Sequence, residues 1–179
     1  MKPSILLTLR RGIETIAQTL LEQADVELIV LYDDIVPILD KLDVPCTTFL
    51  SFMSRTEMVL AQFEARRRTV AVGQFINSPA FAQRCATLGI EPALTDAVRE
   101  RMLATIPEDI PREVVYLDCL RRCVSQCDLR LVLVHQDVAR DTRTLVLGAR
   151  HLGVPSLHML HGYPYGTVNL HDRLHADAV

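Results

Sequence analysis

The pattern of residues 129–160 constrains the fold most, because an apolar run, an amphipathic helical stretch and a second apolar run follow one another there. Residues 129–135 have the length and composition of a buried strand. After Asp137, a candidate N-cap, apolar residues recur at helical spacing as far as Gly153. Residues 156–160 then predict another strand. This order predicts a βαβ unit with two parallel strands.

The same alternation opens the chain. Residues 5–9 and 26–32 are apolar runs typical of strands, and the stretch between them has helical periodicity that begins at Gly12. Residues 35–42 predict a short helix, and residues 46–50 a third strand. Strands that alternate with helices predict an α/β fold, in which a doubly wound, mostly parallel sheet is flanked by helices.

The middle of the chain is expected to be helical. One helix is predicted to start at Ser78 and Pro79, an N-cap followed by an N1 proline, and to stop at Gly89. Two more helices are expected over residues 92–105 and 111–127, separated by a loop that contains two prolines. The whole of 1–179 is expected to form a single domain, since its length suits one.

Composition argues against several classes of protein. The chain has 19 Lys and Arg against 22 Asp and Glu, a net charge of −3, and it has no Trp. A nucleic-acid-binding protein is therefore not expected. Five cysteines, an odd number, favour reduced thiols and a cytoplasmic location over a secreted disulfide scaffold. No apolar run reaches the roughly 18 residues that span a bilayer, so no transmembrane segment is expected.

Two groups of potential metal ligands have unsuitable spacing. Three cysteines recur every four residues on one predicted helix, where they would rarely complete a tetrahedron, so small buried core residues are the better interpretation. Four histidines near the end of the sequence lack the usual helical zinc motif. Neither a metal nor a cofactor is expected. The residues concerned are Cys119, Cys123, Cys127, His158, His161, His171 and His175.

Ligands of open parallel sheets bind at the carboxyl ends of the strands. Arg10, Arg11 and Gly12 follow the first strand, where a helix N-terminus and two guanidinium groups are suited to an anion. Solvated loop charges are the simpler alternative. Of the arginines on the helix after residue 137, Arg143 is expected to face this edge. The other strand-end residues are Asp33, Asp34, His135, Gln136, Asp137, His161 and Gly162.

Residues 129–179 resemble the end of the N-terminal domain of two-domain GT-B glycosyltransferases. The resemblance is to capsule and surface-polysaccharide transferases and to the glycerophosphate polymerases of teichoic acid synthesis. In that pattern a strand ends in an acidic loop, an arginine-bearing helix leads into a second strand that ends in His-Gly, and Ala-Asp follows. The matching residues here are His135 to Arg143, Gly153-Val154-Pro155, His161-Gly162 and Ala176-Asp177.

The resemblance implies a Rossmann-like, acceptor-side domain of a glycosyl- or glycerophosphotransferase. His161 matches a histidine implicated as general base for the acceptor hydroxyl, and Asp137 matches the acidic loop that supports it. Gly162 permits close approach of a ligand, and Tyr163 is expected to line a sugar-sized site. The partners implied are a nucleotide-activated sugar or glycerol donor and a carbohydrate acceptor.

In this family the donor is held mainly by a C-terminal nucleotide-binding domain, which we expect to lie outside these 179 residues. The chain alone is therefore expected to be nearly inactive. Two other functions stay open. One is half of a nucleotide-sugar 2-epimerase, which shares the two-domain architecture. The other is a stand-alone, flavodoxin-like module that binds a small anion and has a regulatory role.

Overall fold

The computed structural model describes residues 2–10, 12–135 and 139–159. The chain divides into two compact units. The first consists of Met1–Ser54 together with Tyr116–Val179, and the second of Arg55–Val115. The sheet lies in the first unit and a group of helices forms the second.

The first unit contains a five-stranded sheet whose strand pairs are all parallel, in the order β3-β2-β1-β4-β5. Helices alternate with the strands, so the predicted α/β class is confirmed, and the arrangement is consistent with a Rossmann-like, doubly wound fold. The strands are β1 (Pro3–Leu7), β2 (Glu27–Val30), β3 (Cys46–Thr48), β4 (Asp128–Val134) and β5 (Ser156–His158). The helices of this unit that lie wholly within it are α1 (Ile13–Gln23), α2 (Val36–Asp40) and α6 (Arg140–His151), with 3-10 turns at Asp33–Ile35 and Phe49–Phe52.

Strand β1 is central, and this explains its continuous apolar sequence. Leu6 and Leu7 point to opposite faces and are both fully buried. The face that carries Leu7 packs against Ile13 and Ala17 of α1. Burying each such side chain contributes about 1.5–3 kcal/mol to the stability of this unit.

The register between β1 and β4 contains one irregularity. Ser4 lies opposite Leu129, whereas Ile5 lies opposite Leu131, so Arg130 is an extra residue in β4. The Arg130 side chain is exposed and pairs with Asp128 at 2.7 Å. A bulge of this kind re-aims the strand beyond it.

The second unit is helical. It contains α3 (Arg55–Ile76), α4 (Pro79–Thr87) and the first part of α5 (Pro92–Gln126). Its buried cluster consists of Ile76, Phe81 and Cys85. The predicted start of α4 at Ser78 and Pro79 is confirmed, and Gly89 has the positive φ of 75° that is expected after a helix end.

One prediction about the helices was wrong. A loop was expected around Pro107 and Pro111, but both residues lie inside the single 35-residue helix α5. A proline in a helix interior removes one main-chain hydrogen bond and disturbs the turn before it, but the helix continues where packing holds the flanking turns. Within the described residues, no helix has both the length and the apolar character needed to cross a bilayer.

Candidate functional site

The order of the strands defines where a ligand would bind. Strand β1 lies between β2 and β4, so the chain reverses its direction across the sheet at the carboxyl ends of β1 and β4. Open parallel sheets bind their ligands at such a switch point. We define the carboxyl edge by the residues at or just beyond these strand ends: Thr8, Arg10, Gly12, Tyr32, His135 and His158.

Thr8 and His135 join the ends of β1 and β4. The backbone N–H of Thr8 donates to the Leu133 carbonyl at 3.0 Å, and the Thr8 hydroxyl donates to the same oxygen at 3.3 Å. In the other direction, Nδ1 of His135 lies 3.0 Å from the Thr8 carbonyl oxygen. A carbonyl can only accept, so Nδ1 carries the proton. The His135 side chain is half-buried.

His158 extends this set of hydrogen bonds to β5. Its Nε2 donates to the carbonyl oxygen of His135 at 2.8 Å, and the backbone N–H of Met159 donates to Val134 at 2.7 Å. His158 is buried, with an exposed fraction of 6%. Its Nδ1 is buried and has no hydrogen-bond partner among the described residues. His158 therefore ties the end of β5 to the end of β4.

Arg10 lies at the β2 side of the same edge. Its guanidinium carbon is 4.1 Å from the centre of the Tyr32 ring, and its Nη1 is 3.5 Å from Oδ2 of Asp34. Both charged side chains are more than half exposed, so the ion pair adds little stability. The guanidinium is held by the ring rather than by a strong ion pair.

Burial is the main cause that raises the pKa of Tyr32, and the negative charge of Asp141 raises it further, while Arg10 opposes the shift. Asp141 belongs to the first turn of α6. The β2 end and the start of α6 are therefore close enough for their charges to interact.

The N-terminus of α1 faces the edge without a side-chain cap. Gly12 is the N-cap residue, with φ 67° and ψ 12°, a left-handed conformation that favours glycine. A Cβ at this position would have no atom within 4 Å, so the backbone angle, not lack of space, requires glycine here. Its carbonyl oxygen accepts the N–H of Ile16 at 3.2 Å.

The structure describes some of the site residues predicted from the sequence, and others lie outside the described residues. Arg10 and Gly12 lie at the edge as expected for residues that follow β1. Arg143 is exposed in α6, and its backbone N–H donates to Ala139 at 2.8 Å. The predicted N-cap for this helix was wrong, because Ala139 occupies that position. The remaining predictions fall outside the described residues: Arg11, Asp137, His161, Gly162 and Tyr163.

Sequence reasoning missed two features of the edge. Tyr32 was interpreted only as the end of a strand, although an aromatic residue next to two acids and near Arg10 is a usable signal for a cation–π contact. His158 was considered as a zinc ligand, but its Nε2 bonds to a carbonyl oxygen. No sequence signal indicates that contact, because it depends on how β4 and β5 pair.

The cysteines on α5 are structural. The Cys119 thiol donates to the Phe49 carbonyl at 2.8 Å, and Sγ of Cys123 lies 3.5 Å from Sγ of Cys127. Burial raises the pKa of Cys119 to about 12 and also raises that of Cys123. Because a neutral thiol is a poor metal ligand and nucleophile, the buried-core interpretation accounts for the environment of Cys119 and Cys123. Cys127, which follows the end of α5, is half-buried.

Comparison of the chain with protein-family models, with curated proteins and with solved structures finds no significant match. Any inference about function therefore rests on the carboxyl edge and on the sequence pattern.

Proposed function

We propose that this chain is the acceptor-side, Rossmann-like domain of a glycosyl- or glycerophosphotransferase. It would bind a carbohydrate whose hydroxyl receives a group from a nucleotide-activated sugar or glycerol. The observation that supports this proposal is the switch point between β1 and β4, where His135 is bonded to Thr8 and polar side chains from successive strands meet.

The chemistry of transfer needs a base for the attacking hydroxyl. His161 is our candidate, because it follows the β5 region in the sequence and an imidazole that is neutral near pH 7 can accept a proton there. Arg10 is suited to an anionic group of either substrate. The donor nucleotide would be held mainly by a second domain, so the 179 residues alone should show almost no turnover.

All five cysteines are free thiols, which supports a reducing compartment. We therefore propose that the protein acts in the cytoplasm. The resemblance of residues 129–179 to surface-polysaccharide transferases favours a role in the synthesis of a surface polysaccharide.

The test uses the complete reading frame that contains residues 1–179. It is assayed for transfer from nucleotide-activated sugars and CDP-glycerol to carbohydrate acceptors. His161→Ala should lower turnover by about 10²–10⁴-fold, the usual contribution of general base catalysis. His151→Ala, an exposed change in the last turn of α6, is the matched control and should leave turnover unchanged. Equal turnover of the two variants would remove the base assignment.

The same assay addresses the epimerase alternative. An epimerase interconverts nucleotide sugars when no acceptor is present, whereas the proposed transferase requires one. Interconversion without an acceptor would therefore contradict the transferase proposal.

The anion-binding module is a second candidate, favoured by the exposed Arg10 guanidinium beside the uncapped N-terminus of α1. Saturable binding of inorganic phosphate by the 179-residue chain, weakened by Arg10→Gln, would support it. Absence of such binding would remove it.

A further inference from the structure

Two thiols lie next to each other at the end of α5. Sγ of Cys123 is 3.5 Å from Sγ of Cys127, and both cysteines are free. The Cys127 thiol also donates its proton to the Cys123 carbonyl oxygen at 2.9 Å, so the proton between the two sulfur atoms belongs to Cys123. Burial in the core accounts for Cys123 by itself, but it does not remove the chemistry that two adjacent thiols can carry out together.

The backbone at this point suits a disulfide. The N–H of Cys127 donates to the Cys123 carbonyl at 2.9 Å, so the two residues are one helical turn apart. Cα atoms at that spacing are about 6 Å apart, within the range of about 4.4–6.8 Å that disulfides join. The sulfur atoms must approach by about 1.5 Å to form the bond. Helix α5 ends at Gln126, so no further helical turn restrains Cys127 as it moves.

The two thiols differ in their access to solvent. Cys123 is fully buried, whereas Cys127 is half-buried. Burial is the main cause that raises the pKa of Cys123, and the negative charge of an ionised Cys127 raises it further. A bond from the Cys127 sulfur to a small thiol removes that charge. Cys127 is therefore the thiol that meets a reagent first, and Cys123 is placed to react second.

We propose that Cys123 and Cys127 are a redox-active pair, which a low-molecular-weight disulfide such as glutathione disulfide converts into an intramolecular disulfide. The Cys127 thiolate attacks one sulfur of the reagent, forms a mixed disulfide and releases one thiolate. The Cys123 thiolate then attacks Sγ of Cys127 and releases the second. The pair loses two electrons and two protons, and the reagent becomes two thiols. A reducing dithiol reverses the reaction, in keeping with the transient disulfides of reducing compartments.

The pair lies away from the carboxyl edge. The new bond would join the last turn of α5 to the residue that precedes β4, whose first residues Asp128 and Leu129 pair with β1. These residues are at the amino end of β4, whereas the carboxyl edge is at its other end. The inference therefore does not depend on the proposed function, and either can fail without the other.

The test maps each thiol of the unchanged 179-residue chain. The folded chain is equilibrated with glutathione and glutathione disulfide at a series of ratios and constant total glutathione, quenched with acid, alkylated and digested with trypsin. Cleavage after Arg122 and Arg130 places both thiols in one peptide, 123–130. Cys46, Cys85 and Cys119 fall in the separate peptides 42–55, 85–99 and 113–121. Mass spectrometry then assigns the state of every cysteine.

Peptide 123–130 should lose two hydrogen atoms and take up no alkyl group, and dithiothreitol should restore both thiols. Because the second step is intramolecular, half-oxidation should need a ratio of glutathione disulfide to glutathione about ten-fold lower than half-modification of the half-buried Cys46. Two alkyl groups on peptide 123–130 at every ratio would overturn the inference. So would a disulfide that joins this peptide to the one with Cys119.

Two variants separate the steps. Cys123→Ala removes the second thiol, so Cys127 should stop at the mixed disulfide with glutathione. Cys46→Ser is the matched control at a half-buried cysteine of β3, and it should leave oxidation of peptide 123–130 unchanged. Absence of glutathione from Cys127 in Cys123→Ala would contradict the proposed order of attack. The peptide map of the unchanged chain decides the proposal even where a variant does not fold.

Discussion

Gly148 of α6 lies directly against Leu117 of α5. A Cβ added at position 148 would lie 2.7 Å from Cδ2 of Leu117 and 3.0 Å from Cδ2 of Leu120. Gly148 is buried, and no left-handed backbone angle requires glycine there. Lack of space for a side chain therefore accounts for glycine at this position.

Gly148→Ala should destabilise the protein by about 1–3 kcal/mol, because overpacking exceeds the gain in helix propensity. Gly73→Ala is the matched control. Gly73 also lies in a helix, but a Cβ there would have no atom within 4 Å, so this change should stabilise by about 0.5–1 kcal/mol. Chemical denaturation measures both. Stabilisation by Gly148→Ala would show that the leucines move aside at little cost.

Alkaline pH should destabilise the first unit. An ordinary thiol has a pKa of 9.0, whereas burial raises that of Cys119 to about 12. The folded state therefore binds more protons than the unfolded state between these values. The stability that the neutral Cys119 thiol contributes is fully present below pH 9 and is lost as the pH rises towards 12. Thermal unfolding at pH 8 and at pH 10.5 should show a lower melting temperature at the higher pH.

Cys119→Val tests the origin of this effect, because valine has a similar size and does not titrate. Between pH 8 and pH 10.5, the melting temperature of the variant should fall by less than that of the unchanged chain. An identical pH dependence would assign the effect to other groups.

Pro107→Ala should stabilise α5. Pro107 is exposed inside the helix and has no N–H to donate to the preceding turn. A proline inside a helix costs about 3 kcal/mol relative to alanine. Alanine also gives the unfolded chain more freedom, which offsets about 1 kcal/mol, so the free energy of unfolding should rise by about 2 kcal/mol. Pro92→Ala is the control, since proline is well tolerated at the first helical position. A loss of stability in Pro107→Ala would mean that the chain is not helical at this point.

Two phenylalanines should respond very differently to substitution. Phe63 of α3 is 71% exposed, so Phe63→Gln should change stability by less than about 0.5 kcal/mol. Phe49 is fully buried and packs edge-on against Tyr116, with ring centres 6.1 Å apart. Phe49→Ala should cost about 3–5 kcal/mol. Urea denaturation compares them, and a large loss in Phe63→Gln would indicate that this side chain is covered.

Much of the sheet could be predicted from the sequence. Apolar runs located β1, β2, β4 and β5, and helical periodicity located α1 and α6, because both patterns follow from burial. The predicted ends of these strands and helices differ from the observed ends by a few residues. The strand predicted over 156–160, for instance, is paired over Ser156–His158 among the described residues, which end at 159 in this region. Strand ends depend on the length of the neighbouring strand, which no local pattern encodes.

The carboxyl edge could be predicted in position but not in detail. Arg10 and Gly12 follow from the rule for strand ends alone. The bond from His135 to Thr8 depends on the register of β1 against β4, which shifts by one residue at Arg130. The sequence predicted two helices in place of α5, because proline has a low helix propensity. In the structure the helix continues through both prolines, so packing outweighs that propensity.

The pairing of β1 with β4 also affects how the protein is made. Residue 7 leaves the ribosome long before residue 128, which lies 121 positions further along the chain. At ordinary translation rates of about 5–20 residues per second, β1 waits about 6–24 s for this neighbour. During that time one hydrogen-bonding side of a strand that is apolar on both faces is open to other nascent chains. The central position that buries β1 in the finished sheet also leaves one of its sides unpaired while the rest of the chain is made.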